Sequence, residues 1–131
     1  VVCVSNLAGT YKSVTTGSST DDCCTDPSYT LESEVVLTAS GTGTYMINDF
    51  SAGLYKLWYD IYGITDAYVA APTSKLRGTI LDACNKISGE WVEPFSESMK
   101  ITGLSFPAEG KIVYNWVNGY GDKGTVTLTK K

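Results

Sequence analysis

The chain has 131 residues, of which 43% are apolar and only 18% are charged, and its net charge is −4. It contains no histidine, which excludes Ser-His-Asp and Cys-His catalysis and zinc sites built on histidine. A nucleic-acid partner is not expected of an acidic chain with a single arginine, since phosphate recognition depends on clusters of Lys and Arg. No apolar run reaches the roughly 18 residues that span a bilayer, so no transmembrane segment is predicted.

Short runs of β-forming residues recur between turn signals along most of the chain. In chain order the predicted strands are 11–16, 31–39, 44–48, 54–61, 67–71, 76–84, 90–92, 99–106, 111–117 and 125–129. A Gly-Thr-Gly turn predicts a hairpin between the second and third strands, and the glycine-rich segment 118–124 predicts another between the last two. Gly103 is expected to break or bulge its strand.

Evidence for helix is confined to one turn at 49–54, which Asn48 or Asp49 can cap and which Gly53 is expected to end. The following run, 54–61, alternates in polarity and is therefore predicted to be a strand. On that strand, Trp58 shares a face with Lys56, Asp60 and Tyr62.

About eight to ten short antiparallel strands in one domain, residues 1–131, close as a barrel or fold as a sandwich. We predict an all-β, antiparallel, lipocalin-like β-barrel, with an immunoglobulin-like β-sandwich as the alternative.

The four cysteines predict disulfide bonds. Cys23 and Cys24 are adjacent, and a bond between them would be strained. One is therefore predicted to pair with Cys3 and the other with Cys84, which leaves two connectivities open. Disulfides indicate an extracytoplasmic location, whether periplasmic, cell-surface or secreted; four free thiols in a cytosolic domain are the alternative. The chain begins Val-Val-Cys without a leader-like segment, so a processed form or an excised domain is expected.

The candidate binding residues are aromatic rings with polar neighbours. Flat rings stack on the C–H faces of sugars, while carboxylates and amides bond to sugar hydroxyls. We predict Trp58, Tyr62 and Tyr120 as stacking surfaces and Asp60, Asn118 and Asp122 as hydroxyl partners. The alternative is that the rings on 54–61 are covered, since aromatic residues are common in strands. Tyr114 and Trp116 share a face with Ile112 and are expected to be buried.

Catalysis is not predicted. Paired carboxylates could hydrolyse glycosides, but the acidic residues lie mostly in turns or on polar strand faces, and a small glycoside hydrolase is the less favoured alternative. No catalytic residue, metal site or cofactor is predicted.

Four short segments of the sequence follow one another in a recognisable order. They are Gly9-Thr-Tyr11, the segment 43–55 (GTYMINDFSAGLY), the segment 110–116 (GKIVYNW) and the segment 125–130 (TVTLTK). In this order they resemble the β-rich C-terminal domains of Bacteroidota cell-surface lipoproteins associated with polysaccharide utilisation. The resemblance implies an outer-surface or periplasmic setting and glycan binding, and it supplies no catalytic residues.

Residues and resemblance together predict a non-enzymatic extracytoplasmic binding domain, with a carbohydrate as its ligand. The alternative from a different class is a structural or protein-interaction module of a cell-surface assembly. The expected partners are accordingly a glycan or a surface protein.

Overall fold

In a computed structural model, which describes residues 5–19, 30–61, 77–92 and 98–131, antiparallel strands close into a barrel. The strands described are β1 (Gly9–Ser18), β2 (Thr30–Gly41), β3 (Thr44–Ile47), β4 (Gly78–Ala83), β5 (Lys86–Val92), β6 (Ser98–Phe106), β7 (Lys111–Asn118) and β8 (Lys123–Lys130). Each pairs with its neighbours in sequence, and β8 pairs with β1 to close the wall. The predicted β-barrel is confirmed, and the sandwich is not formed. The predicted strand at 67–71 lies outside the described residues.

The turn between β4 and β5 is shorter than the sequence predicted. Only Cys84 and Asn85 connect the two strands, with φ of 53° and 74°. Two consecutive left-handed residues are typical of a type I′ turn, whose twist matches that of the flanking strands. Strand β5 therefore begins at Lys86 rather than at residue 90.

Alternation along the strands separates the core from the outer wall. In β7, Ile112, Tyr114 and Trp116 are buried, as predicted. In β8, Val126 and Leu128 point inward, again as predicted. Side chains at alternate positions stand on opposite faces of a pleated strand, so the intervening polar residues face outward.

Gly103 neither breaks nor bulges β6, and that prediction is wrong. The pairing of β6 with β5 and with β7 runs through Gly103 in unbroken register. A Cβ atom at this position would lie 2.2 Å from the Val113 carbonyl oxygen and 2.6 Å from Tyr114 Cα. Glycine is required here because the neighbouring backbone approaches too closely for any side chain.

The predicted strand at 54–61 is an α-helix, α1 (Leu54–Ile61), and the prediction is wrong for an identifiable reason. The Asp49 carboxylate accepts hydrogen bonds from Ser51 N (2.9 Å), Ser51 Oγ (2.7 Å) and Gly53 N (2.9 Å). These bonds fix a turn in which Ala52 and Gly53 have φ of 51° and 96°. Gly53 does not end a helical turn but precedes the helix, because its carbonyl accepts the bond from Leu57 N (3.0 Å).

The helix buries a face that strand alternation does not predict. Leu54, Tyr55 and Trp58 are buried, whereas Lys56 is exposed. This spacing follows the 3.6-residue period, which places positions i, i+1 and i+4 on one side. Trp58 therefore lies on the core side of α1. Among the described residues, no helix is both long and apolar enough to cross a bilayer.

An aromatic cluster fills the barrel end that α1 covers, here called the helical end. Phe50 packs edge-on against Tyr55, Trp91 and Trp116, with ring centroids 5.0, 5.7 and 5.5 Å away. Trp116 also meets Tyr55 at 5.6 Å and Trp58 at 6.1 Å. Because aromatic residues bury large areas and these pairs hold favourable geometries, the cluster is a major part of the core.

The opposite end of the barrel is closed by the chain before β1. Ser5 Oγ lies 2.7 Å from Tyr45 Oη and donates to Asp82 Oδ2 (2.6 Å). Leu7 N donates to Tyr45 Oη (3.0 Å), and Tyr11 Oη donates to the Leu7 carbonyl (2.7 Å). These bonds hold the segment against β1, β3 and β4 and satisfy polar groups that the closure buries.

Tyr114 joins the wall to the turn before α1 through its buried hydroxyl group. Its hydroxyl donates to the Phe50 carbonyl (2.6 Å). Burial, together with the nearby Asp49 charge, raises the pKa of Tyr114 well above its ordinary value. Burial and the proximity of Tyr45 also raise the pKa of Tyr11.

We expect Tyr114→Phe to weaken the loss of stability at alkaline pH. Above about pH 10 the unfolded chain releases the Tyr114 proton, whereas the folded state still holds it. The stabilisation that this group provides is therefore complete below about pH 10, and it falls as the pH rises toward the pKa of the folded state. One such group changes the unfolding free energy by about 1.4 kcal/mol per pH unit. Urea denaturation between pH 8 and 11 measures the slope. Tyr120→Phe, at an exposed position, is the control, and an unchanged slope in Tyr114→Phe contradicts the assignment.

Candidate ligand-binding groove

A groove of about 550 Å³ lies on the outer wall of the barrel near its helical end. Four consecutive strands around the closed wall form it, β6, β7, β8 and β1. It opens to solvent, so a ligand of extended shape can enter it without any movement of the core.

Two rows of side chains cross the groove, and the strand register sets both. Residues directly opposite one another on paired strands share a face, and neighbouring strands lie about 4.8 Å apart. The first row, the hydroxyl row, consists of Thr102, Asn115, Thr125 and Thr16. The second row, the lysine row, consists of Lys100, Val117, Lys123 and Ser18.

The hydroxyl row presents mainly hydrogen-bonding groups. Thr125 Oγ1 donates to Asn115 Oδ1 (2.7 Å). This bond orients the amide so that its Nδ2 group points away from Thr125. Thr102, Asn115 and Thr125 are exposed. Hydroxyl groups both donate and accept, so this row can bond to a polyhydroxylated ligand.

Two glycines form the floor of the groove. Gly17 lies opposite Gly124 where β1 pairs with β8. A Cβ atom at Gly17 would lie 2.6 Å from Leu54 Cδ1, and one at Gly124 would lie 2.4 Å from Trp116 Nε1. The missing side chains leave room for the helix and the indole directly behind the wall, so the groove is supported by the aromatic cluster.

The groove is locally basic in an acidic protein. Its lining includes Lys100 and Lys123 and no carboxylate. Elsewhere on the wall, Lys12 forms an ion pair with Glu32 and Lys131 forms one with Glu34. Glu90 lies opposite Lys100 in the register, but within the described ranges neither groove lysine forms an ion pair.

The structure does not bring the predicted binding residues together on one open face. Trp58 is only 7% exposed, so the prediction of an open stacking ring at this position is wrong. The helical period turns it toward Tyr55 and Trp116. Asp60 belongs to α1, but its side chain lies outside what the structure describes, and so does Tyr62.

Asn118 and Asp122 are used within the turn between β7 and β8. Asn118 is 6% exposed, and its Oδ1 accepts bonds from Tyr120 N and Asp122 N, both at 3.0 Å. Its Nδ2 donates to Tyr55 Oη (2.7 Å) and Asp122 Oδ2 (3.0 Å), and Ser19 Oγ donates to Asp122 Oδ1 (2.7 Å). Asn118 is therefore not open to a ligand, because its atoms fasten the turn to α1. Asp122 is half-buried, and its role as a hydroxyl partner stays a prediction.

Tyr120 is the one predicted ring that the described structure exposes. It lies at the tip of the same turn and is 51% exposed. It is not part of the groove lining, so its role in binding stays a prediction.

The cysteines lie mostly outside the described residues, which include only Cys84. Cys84 is disulfide-bonded in the structure. Cys3, Cys23 and Cys24 fall outside the description, so the predicted pairing stays a prediction. No group of three or more acidic or cysteine side chains within the described segments is arranged to hold a metal ion.

Sequence reasoning missed the groove although a signal for it exists. Alternation places Thr102 with Lys100 and Asn115 with Val117 on the outer faces of two predicted strands, and Thr125 on the polar face of a third. Lys123, the partner of Thr125, falls in the predicted turn just before that third strand. The sequence does not give the register between those strands, and only the register aligns the three pairs into rows.

Comparison with known proteins agrees with this architecture. Residues 3–130 match a family model described as a C-terminal domain. The chain belongs to this family. The family assignment and the structural match below confirm the predicted resemblance to C-terminal domains of Bacteroidota lipoproteins, while the link to polysaccharide utilisation stays a prediction.

Two solved structures show the same fold. The lipoprotein BT2262 from Bacteroides thetaiotaomicron is 19% identical with a TM-score of 0.63, and the match covers 99% of this chain and 61% of that one. A redesigned β-barrel is 14% identical with a TM-score of 0.52, covering 95% of this chain and 91% of that one. The chain thus spans about three fifths of the lipoprotein's length. No curated protein gives a significant match.

Proposed function

We propose that this chain is a non-enzymatic, extracytoplasmic domain that binds a carbohydrate in the groove. The hydroxyl row is the observation that carries the proposal. Its threonines and Asn115 offer several hydrogen-bonding groups on one open surface, which is the chemistry that sugar hydroxyls require.

Three further observations support the proposal, two on location and one on the absence of catalysis. The disulfide at Cys84 favours an oxidising compartment. A structure of the same fold is named a lipoprotein, which favours attachment at a bacterial surface. The groove lining lacks the paired carboxylates that glycoside hydrolysis requires, which favours binding over turnover.

A double variant, Thr102→Val with Thr125→Val, tests the proposal. Valine keeps the shape of threonine but removes the hydroxyl, so we expect retention on an affinity gel of a bound polysaccharide to weaken about tenfold, given about 0.5–1.5 kcal/mol for each hydrogen bond. The gels contain dextran, polygalacturonate or heparin.

Thr79→Val, an exposed hydroxyl on β4 outside the groove, is the matched control and should bind normally. Retention of the double variant equal to that of the unaltered protein on every gel would contradict the site. A wild-type protein that no gel retains would contradict carbohydrate binding for these three classes of glycan.

A second candidate function, a protein-interaction module, is favoured by apolar side chains elsewhere on the wall. Met46, Leu81, Leu104 and Phe106 are 39–50% exposed. They lie on β3, β4 and β6, toward the end opposite α1. Exposed apolar groups of this kind favour contact with another protein.

A further inference from the structure

We propose that the carbohydrate is anionic and that its carboxylate or sulfate group binds between Lys100 and Lys123. This inference rests on the proposed function, because it concerns the same groove. It adds the chemical class of the ligand and assigns its selection to the lysine row.

The register places the two lysines on either side of one apolar residue. Lys100 lies opposite Val117, and Val117 lies opposite Lys123. Two strand spacings separate the lysine Cα atoms by about 10 Å. Each ammonium group is carried on a flexible four-carbon stem, so both can approach one anion above Val117.

The surroundings of the two lysines leave their charge available. Both side chains are exposed, and within the described ranges neither forms an ion pair, although Glu90 on β5 lies across from Lys100. No carboxylate lines the groove. Two like charges facing one concave surface give it a local positive potential, although the whole chain has a net charge of −4.

The balance of donors and acceptors also favours an anion over a neutral sugar. A neutral sugar donates through its hydroxyls and needs acceptors, which a carboxylate side chain supplies best. This groove offers threonine and serine hydroxyls, and the Asn115 oxygen already accepts from Thr125. The two ammonium groups and Asn115 Nδ2 can only donate, whereas the hydroxyls can donate or accept, so anionic oxygen atoms are the acceptors that suit the charged donors.

The test compares polysaccharides of different charge in one affinity-gel experiment. The probes are polygalacturonate for carboxylates, heparin for sulfates and dextran as the neutral polymer. At low ionic strength we expect one of the anionic probes to bind at least about tenfold more tightly than dextran, and its binding to weaken with added salt. Comparison of polygalacturonate with heparin identifies the anionic group.

The decisive variant is Lys100→Met with Lys123→Met, which keeps most of each apolar stem but removes both charges. We expect it to lower the affinity for the preferred anionic probe about tenfold. Lys86→Met with Lys130→Met makes the same change in net charge on exposed residues outside the groove, and should alter binding less than about twofold. Circular dichroism verifies that both variants are folded.

The outcomes separate this inference from the proposed function. Binding of dextran as tight as that of both anionic probes, and sensitive to the threonine variants alone, overturns the anionic ligand and leaves carbohydrate binding intact. An equal loss in the two lysine variants also overturns it, since charge anywhere on the surface would then suffice. Failure of all three probes to bind overturns both proposals.

Discussion

Trp116→Ala is expected to destabilise the barrel by about 3–5 kcal/mol, the range for removal of a large buried aromatic side chain. Trp116 is 1% exposed and packs against Phe50, Tyr55 and Trp58. Its loss would leave a cavity that the rigid wall closes poorly, because the neighbouring strands are fixed by their ladders. Since natural domains are stable by only about 5–15 kcal/mol, the effect is a large fraction of the total.

Urea denaturation at neutral pH measures this change. Val117→Ala provides the control, because Val117 is the next residue of the same strand but is 45% exposed. It should shift the unfolding free energy by less than about 1 kcal/mol. A change below about 1 kcal/mol in Trp116→Ala would show that the aromatic cluster is not a major part of the core.

Gly103→Ala is expected to have the second large effect, a destabilisation of about 3 kcal/mol. The new methyl group would overlap the Val113 carbonyl oxygen and the Tyr114 backbone. These atoms belong to the paired strand β7 and cannot rotate away as a flexible side chain would. Relief therefore requires β6 and β7 to separate at this position.

Gly41→Ala is the matched control for this substitution. Gly41 is also a strand residue, the last of β2. Its φ is not left-handed, and the atoms nearest to an added Cβ lie 3.7 Å away. Alanine there should be neutral or stabilising by up to about 1 kcal/mol, because it restricts the unfolded chain. Equal unfolding free energies for the two variants in urea would refute the close-approach argument at Gly103.

Strand positions were predictable where the pattern of side chains and the local conformation agree. β7 and β8 alternate cleanly, and their apolar inward residues were predicted correctly. The segment 54–61 failed because its aromatic and apolar residues satisfy both a two-residue and a 3.6-residue period. The hydrogen bonds of Asp49 and Ser51 decide in favour of the helix, and they become visible only in the folded turn.

The candidate site was predictable to a smaller extent. The aromatic residues were identified as important, but Trp58 is buried in the core and not open to a ligand. Asn118 and Asp122 were selected as polar groups in a loop, and the structure uses them to hold that loop in place. Polar residues in turns bind either a ligand or their own backbone, and sequence alone does not distinguish the two.

The sequence by itself determined the all-β class and the exclusion of histidine-based chemistry, because composition and alternation are local properties of the chain. It left both the barrel and the sandwich open as ways to close the sheet. Tertiary structure alone decided which residues meet. The lysine row and the hydroxyl row each join residues of three consecutive strands, β6, β7 and β8, to residues of β1 near the other end of the chain. Their alignment depends on the register of strand pairing, and a shift of one residue would turn the same side chains into the core.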